Sequence, residues 1–397
     1  MKRLKEMTEK KKRISEIDIL KGLGMITVLM DHVLINNAFF YPFEVALFFL
    51  AAGYCFNRDK ITSGKALSSY YIKQIKSLYI PLLLWNSFFI LFNNIWLKLH
   101  IYSDDQLILF DPNIEKFFAL DQHLTFLQML KQILKVACLM TSSKLGGVSW
   151  FIRALIVVLF VYALLTFLLH KKEKSHVIIL IISGLLFIIA SIILPTVHLA
   201  SLDGAVYSGT INEASSSILT NVIGEDTINP STLDIIFRII FYFFMFSLGQ
   251  ILKDYKFFLK PNVPAIVSSI LIILLYGLCR LNDWGNNIFN HFLYAFSGLS
   301  AWIIAISIAG LIKEFWIGKA LKYIGQNTLP IIFMQLLAFK LPMLLELFIY
   351  HLSWYYLAAF PSYSQNIFWQ IILILSGLLI SLGIHYIYKK AKRQKFL

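Results

Sequence analysis

The stretch VSWFIRALIVVLFVYALLTFLL, residues 148–169, carries one charged side chain, Arg153, in an otherwise apolar run. As a helix rising about 1.5 Å per residue, it is long enough to cross a bilayer core of about 30 Å. Similar runs recur along the 397 residues, of which 58% are hydrophobic and 15% are charged. Soluble domains carry about 25% charged residues. The sequence therefore predicts an all-α polytopic membrane protein.

The topology follows from the distribution of the basic residues. Ten spans are predicted, at residues 17–37, 40–57, 78–97, 148–169, 176–195, 234–252, 263–280, 288–312, 323–347 and 366–388. With a cytoplasmic N-terminus, the segments on that side hold 26 Lys and Arg residues, whereas those on the opposite side hold 6. Such an excess marks the cytoplasmic side of a membrane protein. The pattern predicts that both termini are cytoplasmic, and it attributes the net charge of +14 to topology rather than to a nucleic-acid partner.

The predicted spans form a single membrane domain, residues 17–388, between a basic leader, residues 1–16, and a basic tail, residues 389–397. The leader suits contact with anionic lipid. Two external loops, residues 98–147 and 196–233, either roof a cavity or simply cover the bundle.

The first external loop is predicted to contain an amphipathic helix that lies at the outer interface. Asp111 or Asn113 is the expected N-cap. Apolar residues recur at spacings of three and four residues, which indicates one apolar face. These residues are Phe117, Leu120, Leu124, Leu127, Leu130 and Leu134. The 3 cysteines form neither a CxxC pair nor a disulfide framework, and no metal site is predicted.

The first predicted span carries ionisable residues toward both ends. Lys21 and His32 differ by about 20° in direction and by about 16 Å along a helix axis, so they share a face. Ionisable groups at membrane depth are costly and point to function. A cation at the cytoplasmic mouth suits an anionic donor, and His32 can act as a general base whose protonated form Asp31 favours. The alternative is structural, with Lys21 reaching toward water and His32 hydrogen-bonding between helices.

Six more ionisable residues fall within or beside later spans, and most lie toward the external half. They are Glu44, Arg153, Arg238, His291, Lys340 and Glu346. Each alone suits a boundary or structural role. Together they predict a hydrated pocket at the external side.

The N-terminal motifs resemble those of the acyltransferase-3 family of integral membrane acyltransferases, which includes polysaccharide and peptidoglycan O-acetyltransferases. DILKG at residues 18–22, with 10 residues between Lys21 and His32, is similar to the family's Asp-x-x-Arg-Gly and histidine at the same spacing. FEVALFFLAAGY at residues 43–54 resembles the family's second span, with Glu44 where a histidine often stands and Ala52 in place of a serine.

Three later motifs extend the resemblance in the same order. KQIK at residues 73–76 is similar to the family's Arg-x-x-Arg, with lysine at both positions. WFIRAL at residues 150–155 resembles its Trp-Phe-x-x-Ala-Leu. IGQNTLPIIFMQ at residues 324–335 resembles its Gly-x-Asn-Ser/Thr-Leu segment, with Gln335 in place of a histidine.

The resemblance implies transfer of an acyl group, usually acetyl from cytosolic acetyl-CoA, to a hydroxyl of a cell-surface or lipid-linked polysaccharide at a bacterial plasma membrane. It implies that His32 is catalytic, and Asp31 is its expected companion. The resemblance also implies cationic handling of the donor by Lys21, Lys73 and Lys76. Asp18, in the same motif as Lys21, is the fourth candidate donor-binding residue.

The candidate acceptor-binding residues are Glu44, Trp150, Arg153, Asn327 and Gln335. The expected partners are membrane lipid and the glycan acceptor, with acetyl-CoA as donor substrate, no metal and no nucleic acid; a homo-oligomer is left open. Two alternatives remain: a transporter or flippase for a lipid-linked glycan, and a non-catalytic member of the family. The chain has no inverted-repeat signal of the kind found in many transporters.

Overall fold

The computed structural model of the protein describes residues 13–33, 35, 38–102, 123–193, 232–255, 259–282, 288–359, 362, 364 and 366–394. Its α-helices are α1 (Ser15–His32), α2 (Val45–Cys55), α3 (Gly64–Gln74), α4 (Ile80–Leu91), α5 (Asn93–Lys98), α6 (Phe126–Ala137), α7 (Trp150–Leu168), α8 (Ser175–Ile193), α9 (Thr232–Leu252), α10 (Val263–Leu281), α11 (Ile288–Ile312), α12 (Trp316–Gln326), α13 (Thr328–Tyr350) and α14 (Ile367–Gln394). The predicted caps Asp111 and Asn113, with Phe117, Leu120 and nearly all of loop 196–233, lie outside the described residues.

The all-α polytopic membrane fold is confirmed. Within the described residues, 8 helices are long and apolar enough to cross a membrane, and they correspond to the third to tenth predicted spans. The shorter apolar helix at Tyr41–Cys55 corresponds to the second. Helix α1, at 18 residues, corresponds to the first, and its acidic and basic side chains make it more polar than the others.

Successive spans run in alternating directions between two ends of the bundle. We call the end where α1 begins the leader end and the opposite end the far end. At the leader end, Lys313 Nζ lies 2.8 Å from Glu16 Oε1, and this hydrogen bond raises the pKa of Lys313. At the same end, Asp254 pairs with Arg58 at 2.9 Å and with His176 at 2.8 Å. The segments that precede α1 and α8 and those that follow α2, α9 and α11 therefore lie at the leader end, as an alternating topology requires.

Helix α12 fixes the first half of α1 by close backbone contact. A Cβ atom built on Gly325 would overlap the carbonyl oxygen of Asp18, and one built on Gly22 would overlap that of Leu321. Only glycine allows the two helices to approach so closely. The outer face of α12 exposes aromatic residues, with Trp316 76% exposed, as is typical of a helix at a membrane interface.

Two spans differ from the predicted ones. The third span begins in a helix at Gly64, where the Ser63 side chain caps Ala66 N, and it continues through a π-helical turn at Ile75–Tyr79 into α4. The first turns of this helix are polar, so the hydropathy of the sequence did not reveal that the helix begins at Gly64. The ninth span is divided at Asn327 into α12 and α13.

The predicted amphipathic helix of the first external loop is present as α6, which starts later than expected. Thr125 and Gln128 form a capping box at its start. Met129 and Val136 are buried and share an apolar cluster with Ile90 of α4. Phe126 on the same apolar side is 69% exposed. This arrangement suits a helix that lies between the bundle and the lipid.

Candidate active site

Helix α1 carries four of the predicted site residues on one unbroken helix. Asp18 and Lys21 lie toward the leader end, and Asp31 and His32 form the last two residues at the far end. His32 Nδ1 lies 2.6 Å from the carbonyl oxygen of Val28. Because a carbonyl oxygen only accepts, Nδ1 carries the hydrogen. In the neutral ring Nε2 then bears the lone pair, which is the arrangement that a general base requires.

The far end of α1 meets a charged cluster contributed by two other segments. Asp31 interacts electrostatically with both His32 and Arg280, the latter in the last turn of α10. Glu44, the residue that precedes α2, interacts electrostatically with Asp31 and Arg280 and is only 8% exposed. The structure thus brings together three predicted residues, Asp31, His32 and Glu44, around a cation that the prediction had counted only as an external basic residue.

Arg280 is held by aromatic side chains. Its guanidinium carbon lies 4.3 Å from the centre of the Tyr41 ring, and it hydrogen-bonds to Tyr276 one turn earlier on α10. Tyr276 in turn stacks on Tyr294 of α11, with the ring centres 5.5 Å apart. Tyr294 is 4% exposed, and its hydroxyl has no hydrogen-bond partner among the described residues. Aromatic side chains from α10, α11 and the segment before α2 therefore border Arg280.

Trp150 adjoins the same cluster through Tyr242. The two ring centres lie 5.9 Å apart, and Tyr242 interacts electrostatically with Glu44 and with Arg238. Trp150 is the first residue of α7, so the predicted acceptor residue lies at the far end near Glu44. The far end therefore contains both carboxylates and a group of aromatic side chains beside them.

Other ionisable residues at the far end have separate surroundings. Arg153 is 7% exposed and donates to the carbonyl of Leu139 at 3.4 Å. Lys340 donates to two carbonyl oxygens in residues 357–359, and Glu346 accepts from Ser364 at 3.0 Å. Lys340 and Glu346 thus fasten the segment that joins α13 to α14.

The predicted donor-binding lysines lie toward the leader end. Lys21 is half-buried and makes neither an ion pair nor a hydrogen bond within the part of the chain that the structure describes. Lys73, at the end of α3, and Lys76, in the π-helical turn, are exposed. Lys21 therefore lies on α1, whereas Lys73 and Lys76 lie on the helix that begins at Gly64.

Asp18, in contrast, is enclosed by partners. Its carboxylate pairs with Arg13 at 2.9 and 3.1 Å and accepts from Gln326 at 2.9 Å. It is 3% exposed. These contacts join the start of α1 to the end of α12, which is a structural role.

Within the described residues, neither of the last two predicted acceptor residues makes a hydrogen bond or an ion pair with the charged cluster. Asn327 donates to the carbonyl of Tyr323 at 2.8 Å and accepts from Lys389 at 3.3 Å, at the leader end. Gln335 is fully buried in α13, and neither atom of its amide is paired among the described residues. Its surroundings include the apolar cluster formed by α1, α4 and α13.

Sequence reasoning missed the roles of Arg280, Tyr41, Tyr276 and Tyr294. One signal was available, because Glu44 lies within an apolar span and a buried carboxylate needs a countercharge. The sequence contains several basic residues near the external ends of spans, so it did not identify which of them is the countercharge of Glu44. Among the described residues, no group of three or more His, Cys, Asp or Glu side chains has the arrangement of a metal site.

The comparison with protein families decides the affiliation. The model of the acyltransferase-3 family, described as an acyltransferase domain, matches residues 14–386, nearly the whole chain. The chain belongs to the acyltransferase-3 family. No curated protein and no solved structure matches it.

Membership makes this chain a multi-pass membrane acyltransferase. The family match spans α1 to α14, so it includes both the charged far end and the lysines near the leader end.

Proposed function

We propose that this acyltransferase transfers an acetyl group from cytosolic acetyl-CoA to a hydroxyl of a cell-surface or lipid-linked polysaccharide at a bacterial plasma membrane. The observation that carries the proposal is the hydrogen bond of His32 Nδ1 to Val28, which leaves Nε2 as a proton acceptor at the far end of α1. A hydroxyl needs such an acceptor to attack a thioester.

The chemical step requires one proton transfer and one exchange of bonds. The acceptor oxygen forms a bond with the thioester carbonyl carbon while Nε2 of His32 takes the hydroxyl proton. The carbon–sulfur bond then breaks, and the sulfur receives that proton, which yields an acetyl ester and free coenzyme A. Asp31 stabilises the imidazolium while the proton is on the ring, and the positive charge of Arg280 favours the ionised form of Asp31.

The lysines supply the electrostatics for the donor. Coenzyme A carries phosphate groups, and lysine attracts phosphate as a point charge. Lys73 and Lys76 are exposed at the leader end, and Lys21 is half-buried on the helix that ends at His32. About 16 Å along α1 separates Lys21 from His32, which is the distance that the arm of the donor must bridge.

The far end supplies the acceptor contacts. Trp150, which is 9% exposed and packs on Tyr242, borders this region, Glu44 is a carboxylate that accepts hydroxyl hydrogens, and Arg153 is a buried cation one turn along α7. The excess of basic residues at the leader end supports a cytoplasmic location for that end and an external one for the far end.

The proposal is tested by mass spectrometry of surface glycans from cells with the wild-type chain, with His32→Gln, and with neither. We expect a mass increase of one acetyl group in the wild type alone, at equal protein levels. Purified protein in lipid nanodiscs should then consume acetyl-CoA in the presence of those glycans.

The alternatives give different results in the same assays. A lipid-linked glycan transporter moves glycan and leaves the thioester intact. A non-catalytic family member neither consumes acetyl-CoA nor binds it. Unchanged acetylation with His32→Gln would remove His32 from the mechanism.

A further inference from the structure

A cavity of about 200 Å³ lies at the far end, between α4, α5, α6 and the loop before α7. Water occupies about 30 Å³ per molecule in the liquid, so this space equals about seven waters and suits one sugar ring. Its walls combine apolar residues such as Phe89 with polar side chains. The polar residues are Asn93, Tyr102, Gln132, Ser143 and Lys144.

One wall is fixed by a buried hydrogen-bond network. Asn86 Oδ1 accepts from Ser143 N at 2.7 Å and from Ser143 Oγ at 2.9 Å, and its Nδ2 donates to Ser149 Oγ at 3.2 Å. Ser143 Oγ also accepts from Gly146 N at 3.0 Å. A Cβ atom on Gly146 would overlap both Asn86 and Ser143, so the loop needs glycine there. Ser143 is thereby held in one orientation with acceptor capacity remaining on its hydroxyl oxygen.

The opposite wall presents amide groups and an aromatic residue. Asn93 is 8% exposed and accepts from the hydroxyl of Tyr102. Gln132 projects from α6, and its amide makes no hydrogen bond within the described residues. An amide offers two donors and an acceptor, which matches neighbouring hydroxyls on a sugar ring. Fixed polar groups beside apolar and aromatic surface are the usual composition of a small-ligand site.

The position of α6 supports a ligand held at the membrane surface. Leu127 and Leu134 on its outer side are 62% and 64% exposed, as expected for contact with lipid. Gln132 lies on another side of the helix and lines the cavity. The cavity therefore lies beside an interfacial helix, at the same end as His32. An apolar cluster that includes Val28, Leu82 and Ile152 packs between α1, α4 and α7.

We propose that this cavity binds one sugar ring of the acceptor glycan, distinct from the ring whose hydroxyl is acylated. The inference rests on the proposed function, because the glycan is its ligand. Gln132 and Asn93 hydrogen-bond to ring hydroxyls, Ser143 accepts one more hydrogen, and Tyr102 contributes its aromatic surface. A second sugar contact holds the chain in register while the reacting ring lies near His32.

The test uses full-length protein in lipid nanodiscs and two probes, methyl glucoside and methyl glucuronoside, followed by saturation-transfer NMR. Gln132→Leu removes the amide and replaces it with an apolar side chain of similar size. Lys131→Ala, exposed on the same helix, is the matched control. We expect saturable binding of at least one probe, at least about 10-fold weaker in Gln132→Leu and unchanged in the control.

Two results would overturn the subsite: no saturable binding of either probe to wild type, or equal binding to wild type and Gln132→Leu. Acetyl-CoA consumption is measured on the same samples. If the protein consumes acetyl-CoA but Gln132→Leu does not change sugar binding, the subsite is wrong and the proposed transfer still stands. Gln132-dependent sugar binding without any thioester turnover supports the sugar site and defeats the proposed transfer.

Discussion

The guanidinium carbon of Arg280 lies 4.3 Å from the centre of the Tyr41 ring, which places the end of α10 over the segment that leads into α2. The same guanidinium interacts electrostatically with Asp31 and Glu44, so one cation faces two carboxylates. Arg280 thus compensates the negative charge of Glu44 beside His32.

Replacing Arg280 should therefore damage both stability and activity. Arg280→Gln leaves Asp31 and Glu44 without their cation, and loss of one partner of a buried charge pair costs about 3–5 kcal/mol. Because Arg280 is partly exposed, we expect a loss of about 1–3 kcal/mol in the free energy of unfolding. Thermal unfolding in detergent measures it. Lys135→Gln, an exposed cation on α6, is the control and should have no effect.

Glu44→Gln should partly restore the stability of Arg280→Gln, because the double variant removes one charge of each sign. A double variant no more stable than Arg280→Gln alone would show that Glu44 and Arg280 are energetically independent.

His32→Gln should abolish acyl transfer while leaving the fold intact. Glutamine retains a side-chain N–H near Val28 and lacks a group that accepts and returns a proton. The loss of general-base catalysis is expected to lower the rate by about 10²–10⁴-fold. Transfer of labelled acetyl to glycan measures the rate, and an unchanged melting temperature serves as the folding control. A rate within threefold of wild type, on the order of half a kcal/mol, would contradict a role for His32 as the base.

The double variant Lys73→Gln/Lys76→Gln should weaken donor binding more than it slows the chemical step. Both side chains are exposed, so their attraction for phosphate is screened by salt. We expect KM for acetyl-CoA to rise by about 3- to 10-fold at low salt and kcat to change little, with a smaller rise in KM at high salt. Lys65→Gln, exposed near the start of the same helix, is the matched control. If Lys65→Gln raised KM for acetyl-CoA by as much, Lys73 and Lys76 would contribute only to the general surface charge and would not bind the donor specifically.

Gly325→Ala should destabilise the protein at the contact between α1 and α12. The added methyl group overlaps the carbonyl oxygen of Asp18, and the two helices must separate. Such overpacking costs about 1–3 kcal/mol, measured by thermal unfolding in detergent. Gly310→Ala in α11 is the matched control, because a Cβ atom there meets nothing within 4 Å. If Gly325→Ala were as stable to thermal unfolding as Gly310→Ala, α12 would be able to move away from α1 without a loss of stability.

The sequence predicted the spans well because a helix that crosses the lipid core needs a long apolar run, and such runs are visible in the sequence. It failed at Gly64, where the first turns of a continuous helix are polar and exposed, and at Asn327, where an apolar region contains a break. The candidate site was half predicted. Asp31 and His32 are neighbours in one span, but the electrostatic interaction of Glu44 with Arg280 joins residues far apart in the chain. No local pattern encodes such an interaction, because it arises from the packing of α1, α2 and α10.

The native cysteines provide a direct measurement of orientation. Cys55 is exposed near the leader end of α2, Cys138 is exposed directly after α6 at the far end, and Cys279 is buried. If the far end is external, as the basic residues predict, a membrane-impermeant maleimide added to intact cells should label Cys138 and spare Cys55. Permeabilised cells should show labelling of both. Cys138→Ser should lose the label in intact cells, and labelling confined to Cys55 in intact cells would reverse the predicted topology.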